Sequence, residues 1–258
     1  MSRRKIDKDE LAAVLEEHRK WLESGGEEGV KADLSGRDLS RHNLQQANLE
    51  GANLEGVNLY RTNLRTANLK AANLKAASMV EADLQWSIFL CADLRDACLE
   101  RANLHFADFS ESNLSRARMQ NIFLHNAYFL EATLKSANLR GASFRFTEMN
   151  FANLHGATLS GAVIAATKMI SADLSESDLS NTEITMSDFE NATLRNARLN
   201  SAYLLKTSFH MADLRGADFN DSKAEYDMMI PCCLRRGNSF FTRLLNNAGK
   251  RFGAGLHK

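Results

Sequence analysis

The side chains that could do chemistry are few, and their spacing argues against most reactions. His105 and His125 stand 20 residues apart, so on stacked layers their imidazoles could share a metal ion. No third ligand accompanies them, whereas protein zinc sites use three or four. An exposed histidine ladder is the simpler reading, and no metal or cofactor is expected. The four cysteines, Cys91, Cys98, Cys232 and Cys233, contain no CxxC pair and read as free thiols of a reducing compartment. Asp and Asn are abundant, but they recur at one fixed place in a repeated phrase, so paired carboxylates carry no catalytic signal. A nucleophile elbow, a phosphate loop, a dinucleotide fingerprint and a His-Glu-x-x-His helix are all absent. The expectation is a protein that is not an enzyme.

The rest of the composition agrees. The 32 basic residues balance the 32 acidic ones, so no strongly basic surface points to nucleic acid. No apolar run approaches the ~18 residues of a membrane span, and Met1-Ser2-Arg3-Arg4-Lys5 lacks the apolar core of a signal peptide. A cytoplasmic protein is expected.

What positions every one of these side chains is a five-residue phrase. Calling its centre i, the centres fall at 34, 39, 44 and every fifth residue to 219, 38 phrases in one register without an insertion. All 38 centres are apolar: 25 Leu, 7 Phe, 4 Met and 2 Ile. Position i−2 is small, with 25 Ala, 5 Thr and 4 Ser, and position i−1 is Asp or Asn in 21 phrases. Glycine recurs at i+2, as in Gly36, Gly51 and Gly141. A helix would rotate each centre by about 140° from the last and form no apolar face. A flat strand would throw alternate centres to opposite sides. Bending the chain once per phrase solves both problems. Positions i−2 and i then point inward, i−1 and i+1 outward, and i+2 sits at a corner. Four corners close a 20-residue coil, and the repeat makes nine and a half coils stacked at roughly 4.8 Å.

The phrases Ala32-Asp33-Leu34, Ala47-Asn48-Leu49, Ala52-Asn53-Leu54 and Ala217-Asp218-Phe219 resemble the pentapeptide-repeat family, whose motif is A(D/N)LXX. The resemblance covers residues 32–221. It implies an all-β solenoid, a right-handed quadrilateral β-helix, and the handedness comes from the family alone. It also implies a second function, since some members mimic DNA and bind type II topoisomerases such as gyrase. Residues 32–221 carry 18 basic and 22 acidic residues, a weak negative balance for such a mimic. Departures from the motif predict a frayed or covered first coil, where Arg37 and His42 occupy i−2, and a local distortion at Ile122-Phe123.

Three segments follow: 1–31, the β-helix 32–221, and 222–258. Residues 7–24 read as a capping helix, with Asp7 and Glu10 as a capping box and Leu11, Leu15, His18 and Leu22 on one face. Its expected task is to cover the open first coil. In the last segment Ser239 to Asn247 reads as a short helix that buries Phe240, Phe241, Leu244 and Leu245 among basic residues. A cap, a dimerisation helix and a membrane-surface helix are its three readings.

Residues 20 apart share a face. The first face, centred on Leu34 and Leu54, has balanced charge. The second, centred on Leu39 and Leu59, carries seven arginines against six acids. The fourth, centred on Leu49, Leu69 and Phe89, is acidic, with seven carboxylates against Lys70 and Lys168. The third, centred on Leu44, Leu64 and Leu84, is unusual. It shows Trp86, Phe106, Phe123, Phe146, Val163, Met186, Tyr203 and Leu205 at outward positions. Across the corner the fourth face adds Ile88, Leu90, Tyr128, Leu130 and Ile170. An apolar strip edged by carboxylates marks a surface for a protein partner. Its alternatives are burial under residues 222–258 and a homodimer through the strip or the C-terminal segment.

Overall fold

A computed structural model of the chain describes residues 4–225. Phe240, Phe241, Leu244 and Leu245 lie outside the described residues. From Asp33 onward the chain is a ladder of parallel bridges, each joining an i−1 residue to the one 20 positions later: Asp33 to Asn53, Asn53 to Asn73, Asn73 to Asp93. That interval is the 20-residue coil. Its main-chain groups are satisfied between coils, as where the Leu34 N–H donates to Asn53 O at 2.8 Å and the Asn53 N–H to Ala32 O at 2.9 Å. Pairing between successive coils takes up main-chain groups that would otherwise lie unsatisfied beside the apolar bore.

The corners follow from one backbone choice. All 38 residues at i+2 have positive φ, seven of them Gly. At most corners the i+3 N–H donates back to the carbonyl of i, as from Arg37 to Leu34 at 3.2 Å and from Ala52 to Leu49 at 3.0 Å. That bond with a left-handed third residue is a type II turn. Asp or Asn at i−1 supports the same corner, because its Oδ1 accepts the N–H of i+1: Ser35 to Asp33 at 3.0 Å, Arg95 to Asp93 at 3.1 Å. The amide then reaches the coil before, Asn53 Nδ2 to Asp33 Oδ1 at 3.0 Å and Asn73 Nδ2 to Asn53 Oδ1 at 3.1 Å. A short side chain with an oxygen two bonds from Cβ is what an Asx turn requires.

Burial obeys the phrase. Every centre is buried, and i−2 alanines fill the space beside it. Like side chains stack up the bore, with Phe89 on Phe109 at 4.5 Å and Phe109 on Phe129 at 5.0 Å between ring centroids.

The third face changes character along the rod. From its sixth coil it holds three-residue strands: β1 Ser143–Arg145, β2 Val163–Ala165, β3 Glu183–Thr185, β4 Tyr203–Leu205 and β5 Lys223–Glu225. They form one parallel sheet in that order. Past β1 to β4 the corner is a bend without the main-chain turn bond. There the hydroxyls of Thr147, Thr167, Ser187 and Thr207 donate to the carbonyls of Leu124, Phe144, Ile164 and Ile184, at 2.5, 3.2, 3.2 and 3.1 Å. A column of buried hydroxyls thus takes up carbonyls up this corner, and those of Phe144, Ile164 and Ile184 lack the turn bond.

The two departures from the motif resolve differently. Ile122 is fully buried in place of the usual Ala, and Phe123 stays in register with Asn103 and Ser143. The expected distortion shrinks to longer bonds nearby, 3.3 Å from Arg101 N to Gln120 O and 3.4 Å from Ala127 N to Leu124 O. The first coil is covered. Helix α1 spans Lys8–Glu23, with Asp7 as its N-cap accepting from the Glu10 N–H at 2.8 Å. The capping box is only half made, because the Glu10 carboxylate instead binds Arg37 at 2.5 Å. That contact explains an arginine at an inward position. Leu11 is buried on the first coil, Val14 and Leu15 pack beside it, and Leu22 is half-buried. Ahead of the helix, Lys5 pairs with Asp38, and Ile6 is buried. The open edge of the first coil is therefore met by a parallel bridge as well as a helix. His18 closes the far end of the helix, its Nδ1 accepting the Ala32 N–H at 3.1 Å. No helix among the described residues is long and apolar enough to cross a membrane.

Candidate partner-binding surface

The corner between the third and fourth faces is built from i+2 residues. Glycine is the residue that a left-handed corner favours, and a bulky side chain there is uncommon. Yet this column holds Trp86, Phe106, Phe146 and Met186, at φ of 61, 60, 55 and 49°. Their side chains cannot turn inward, since Leu84, Leu104, Phe144 and Ile184 already fill the bore. Trp86 is 50% exposed, Phe146 64% and Met186 61%. Trp86 and Phe106 lie ring on ring, with centroids 4.0 Å apart and planes within 5°. That stack leaves Phe106 half-buried.

The strip widens to either side. Phe123 is exposed on the third face, with its ring edge-on to His125. Ile88, Tyr128 and Leu130 are exposed on the fourth. Leu90, Val163, Ile170, Tyr203 and Leu205 are half-buried, so they border the strip. Two exposed apolar residues of the repeat escaped the sequence reading, Phe151 and Met211. Both are i+2 residues of the fourth face and form the next corner around. Reading that column as Phe151, Ser171, Asn191, Met211 would have found them.

Charge is arranged in columns one coil apart. Glu81 lies between Arg61 at 2.7 Å and Arg101 at 3.5 Å. Arg116 reaches back to Asp96, and Arg198 to Asp178, both at 2.7 Å. The first and second faces therefore present alternating charge, and the second shows no arginine field. On the fourth face Glu50 meets Lys70, and Glu148 meets Lys168, but Glu131 and Glu190 form no ion pair among the described residues. A carboxylate edge is left on the far side of the fourth face, across from the aromatic corner.

The histidines are placed as the spacing predicts. His105 and His125 have ring centroids 4.5 Å apart, and His125 Nε2 lies 3.2 Å from Ser143 Oγ. Burial, then His105 and Arg145, hold His125 below the ordinary histidine pKa. No cluster of three or more metal-ligating side chains occurs among the described residues. Cys91 is exposed and Cys98 buried, both as free thiols. Glu111 accepts from the Cys91 thiol at 3.4 Å and raises its pKa, which leaves it a poor nucleophile.

The comparisons with known proteins address the rod rather than the corner. The family model of pentapeptide repeats matches in eight copies, over residues 30–65, 67–105, 107–145, 147–185 and 187–221. Among solved structures the chain is similar to HetL of the cyanobacterium Nostoc, a pentapeptide repeat protein involved in regulating heterocyst differentiation. That match has 24% identity and a TM-score of 0.60, covering 90% of this chain and 99% of HetL. QnrB1, a plasmid-mediated fluoroquinolone resistance protein, aligns at 17% identity and a TM-score of 0.35, over 85% of this chain and 98% of its own. No curated protein sequence matches. The fold that the family match and the likeness to HetL carry is the right-handed quadrilateral β-helix.

Proposed function

Because the chain belongs to the pentapeptide-repeat family, we propose that it is a non-enzymatic rod that holds another protein against its aromatic corner. Trp86, Phe106, Phe123, Phe146, Tyr128 and Leu130 make the contact surface, bordered by Leu90, Tyr203 and Leu205. One observation carries the reading. Large apolar side chains occupy left-handed corner positions where they are solvent-exposed and backbone strain opposes them. The β-helix gains nothing there that Gly would not supply. Covering one such ring would contribute roughly 1.5–3 kcal/mol to an interface.

The charge columns weigh against DNA mimicry. A mimic must steer itself into a cationic groove by summed negative potential, and Arg61, Arg101, Arg116 and Arg198 cancel carboxylates one coil away. A supercoiling assay is expected to show at most weak gyrase inhibition, and potent, salt-sensitive inhibition would reverse the preference. The corner itself is tested by Trp86→Ser with Phe106→Ser. Circular dichroism and the melting temperature should stay near wild type, while partner capture or self-association in sedimentation is lost. A double variant that melts far below wild type would make the corner internal packing. One that retains association and capture would remove it as the binding surface.

A further inference from the structure

The aromatic corner and the chain that follows it match in position, reach and charge. The last described strand, β5, lies on the third face, and the 20-residue register places Tyr226 next in the column of Trp86, Phe106, Phe146 and Met186. The described residues thus end beside the corner that carries the strip. From that coil to the coil of Trp86 is seven steps back, roughly 34 Å at the strand spacing. The remaining 33 residues reach on the order of 100 Å when extended, several times what is needed.

Charge adds a second match. Residues 226–258 hold six basic side chains and one acidic, a net of +5. The chain is neutral overall, so residues 1–225 carry −5. The corner offers apolar surface at Phe146 and Met186, continued by Leu130 on the fourth face, whose outer edge carries Glu131 and Glu190, free of ion pairs among the described residues. Residues 235–251 alternate the complementary features: Phe240, Phe241, Leu244 and Leu245 among Arg235, Arg236, Arg243, Lys250 and Arg251.

We propose that residues 226–258 lie back along this corner in cis, as a resident occupant that an outside partner must displace. Phe240, Phe241, Leu244 and Leu245 cover the aromatic strip, and the tail arginines sit on its carboxylate edge. The inference rests on the corner being a binding surface, and it names the chemistry of the ligand: an amphipathic basic segment. The strip then stays covered until a partner of the same chemistry competes.

The test uses the full chain with a photoreactive benzoylphenylalanine in place of Phe241. After irradiation, monomer and dimer bands are separated and the crosslinked peptides are mapped. The expected result is crosslinks within one chain to the strip around Phe146, Met186 and Leu130, with the yield falling in Glu131→Lys with Glu190→Lys and at high salt. Crosslinks between two chains would replace the cis occupant with a second copy. Crosslinks confined to the last coil, or none to protein, would overturn the proposal. If either happens while Trp86→Ser with Phe106→Ser still abolishes association, the corner remains a binding surface and only its resident occupant is lost.

Discussion

Two aromatic stacks climb the same coils. Phe89, Phe109 and Phe129 lie ring on ring inside the bore, fully buried. Trp86 and Phe106 lie ring on ring outside, one corner away, with even closer centroids. The ring contacts are alike, and the difference is in what surrounds them. The inner rings are held by the coils above and below, and their backbone is the ordinary straight part of the phrase. The outer rings sit on left-handed residues, and the coils leave one side of them open. Stacking of the same quality therefore serves the fold in one place and is surplus to the fold in the other.

Breaking the inner stack should have the largest effect. Phe109→Ala is expected to cost about 3–5 kcal/mol, because the coils cannot collapse onto the void without shifting the ladder. Leu104→Asp should be worse still, since it places a carboxylate in a dry bore, and it should cost more than Leu34→Asp, whose centre has a coil on one side only. Urea denaturation of the three variants checks the order, and equal losses would contradict nearest-neighbour stacking of coils.

The next effect is a pH dependence at the N-terminal cap. His18 is buried, and burial, with Lys31 nearby, holds its folded pKa below the ordinary value against the opposing Glu50 backbone. A depressed folded value means that the unfolded chain takes up the proton first. The stability from this site is thus fully present above the unfolded pKa of ~6.5 and is lost as pH falls through it toward the folded value. Melting between pH 7.5 and 5.5 is expected to show that loss, and His18→Gln to flatten it; a flat wild-type profile would detach His18 from the cap.

The outer stack should matter least to folding. Trp86→Gly removes a left-handed penalty of about 1–2 kcal/mol and adds back a glycine entropy cost of about 0.5–1 kcal/mol. The net change in stability should be within about 1 kcal/mol. A large fall in melting temperature would mean that the cover over the ring is part of the fold and not displaceable, and repeating the measurement with Phe241→Ser would show whether the tail supplies it. Arg61→Ala, which opens an exposed column, should change stability by no more than about 1 kcal/mol.

The inner stack was legible from the sequence and the outer one only in part. Apolar centres every fifth residue leave one inward direction, so Phe89, Phe109 and Phe129 could be placed without coordinates. Trp86 and Phe106 could be assigned to a shared column, but not their parallel contact, which depends on rotamers. The left-handed backbone was hinted at by Gly36 and Gly141, yet 31 non-glycine residues adopt it as well, because the ladder imposes a corner that no single residue would choose. The hydroxyl column of Thr147, Thr167, Ser187 and Thr207 looked like small-residue substitution for Ala. Its role appears only when the turn bond is seen to be absent. Glu10 was read as a capping partner because that pairing is local in sequence, and Arg37, 27 residues away, competes for it successfully.

The unbroken count of residues also works as a phase. An inserted or deleted set of five would turn everything beyond it by a quarter revolution about the rod. Trp86 and Phe106 would then stand on a different side from Phe146 and Met186, though every coil remained well formed. A change of 20 would lengthen or shorten the rod by one layer, roughly 4.8 Å, and leave the column in line. Length is free to drift in whole coils, while any surface that spans several of them forbids drift in quarters.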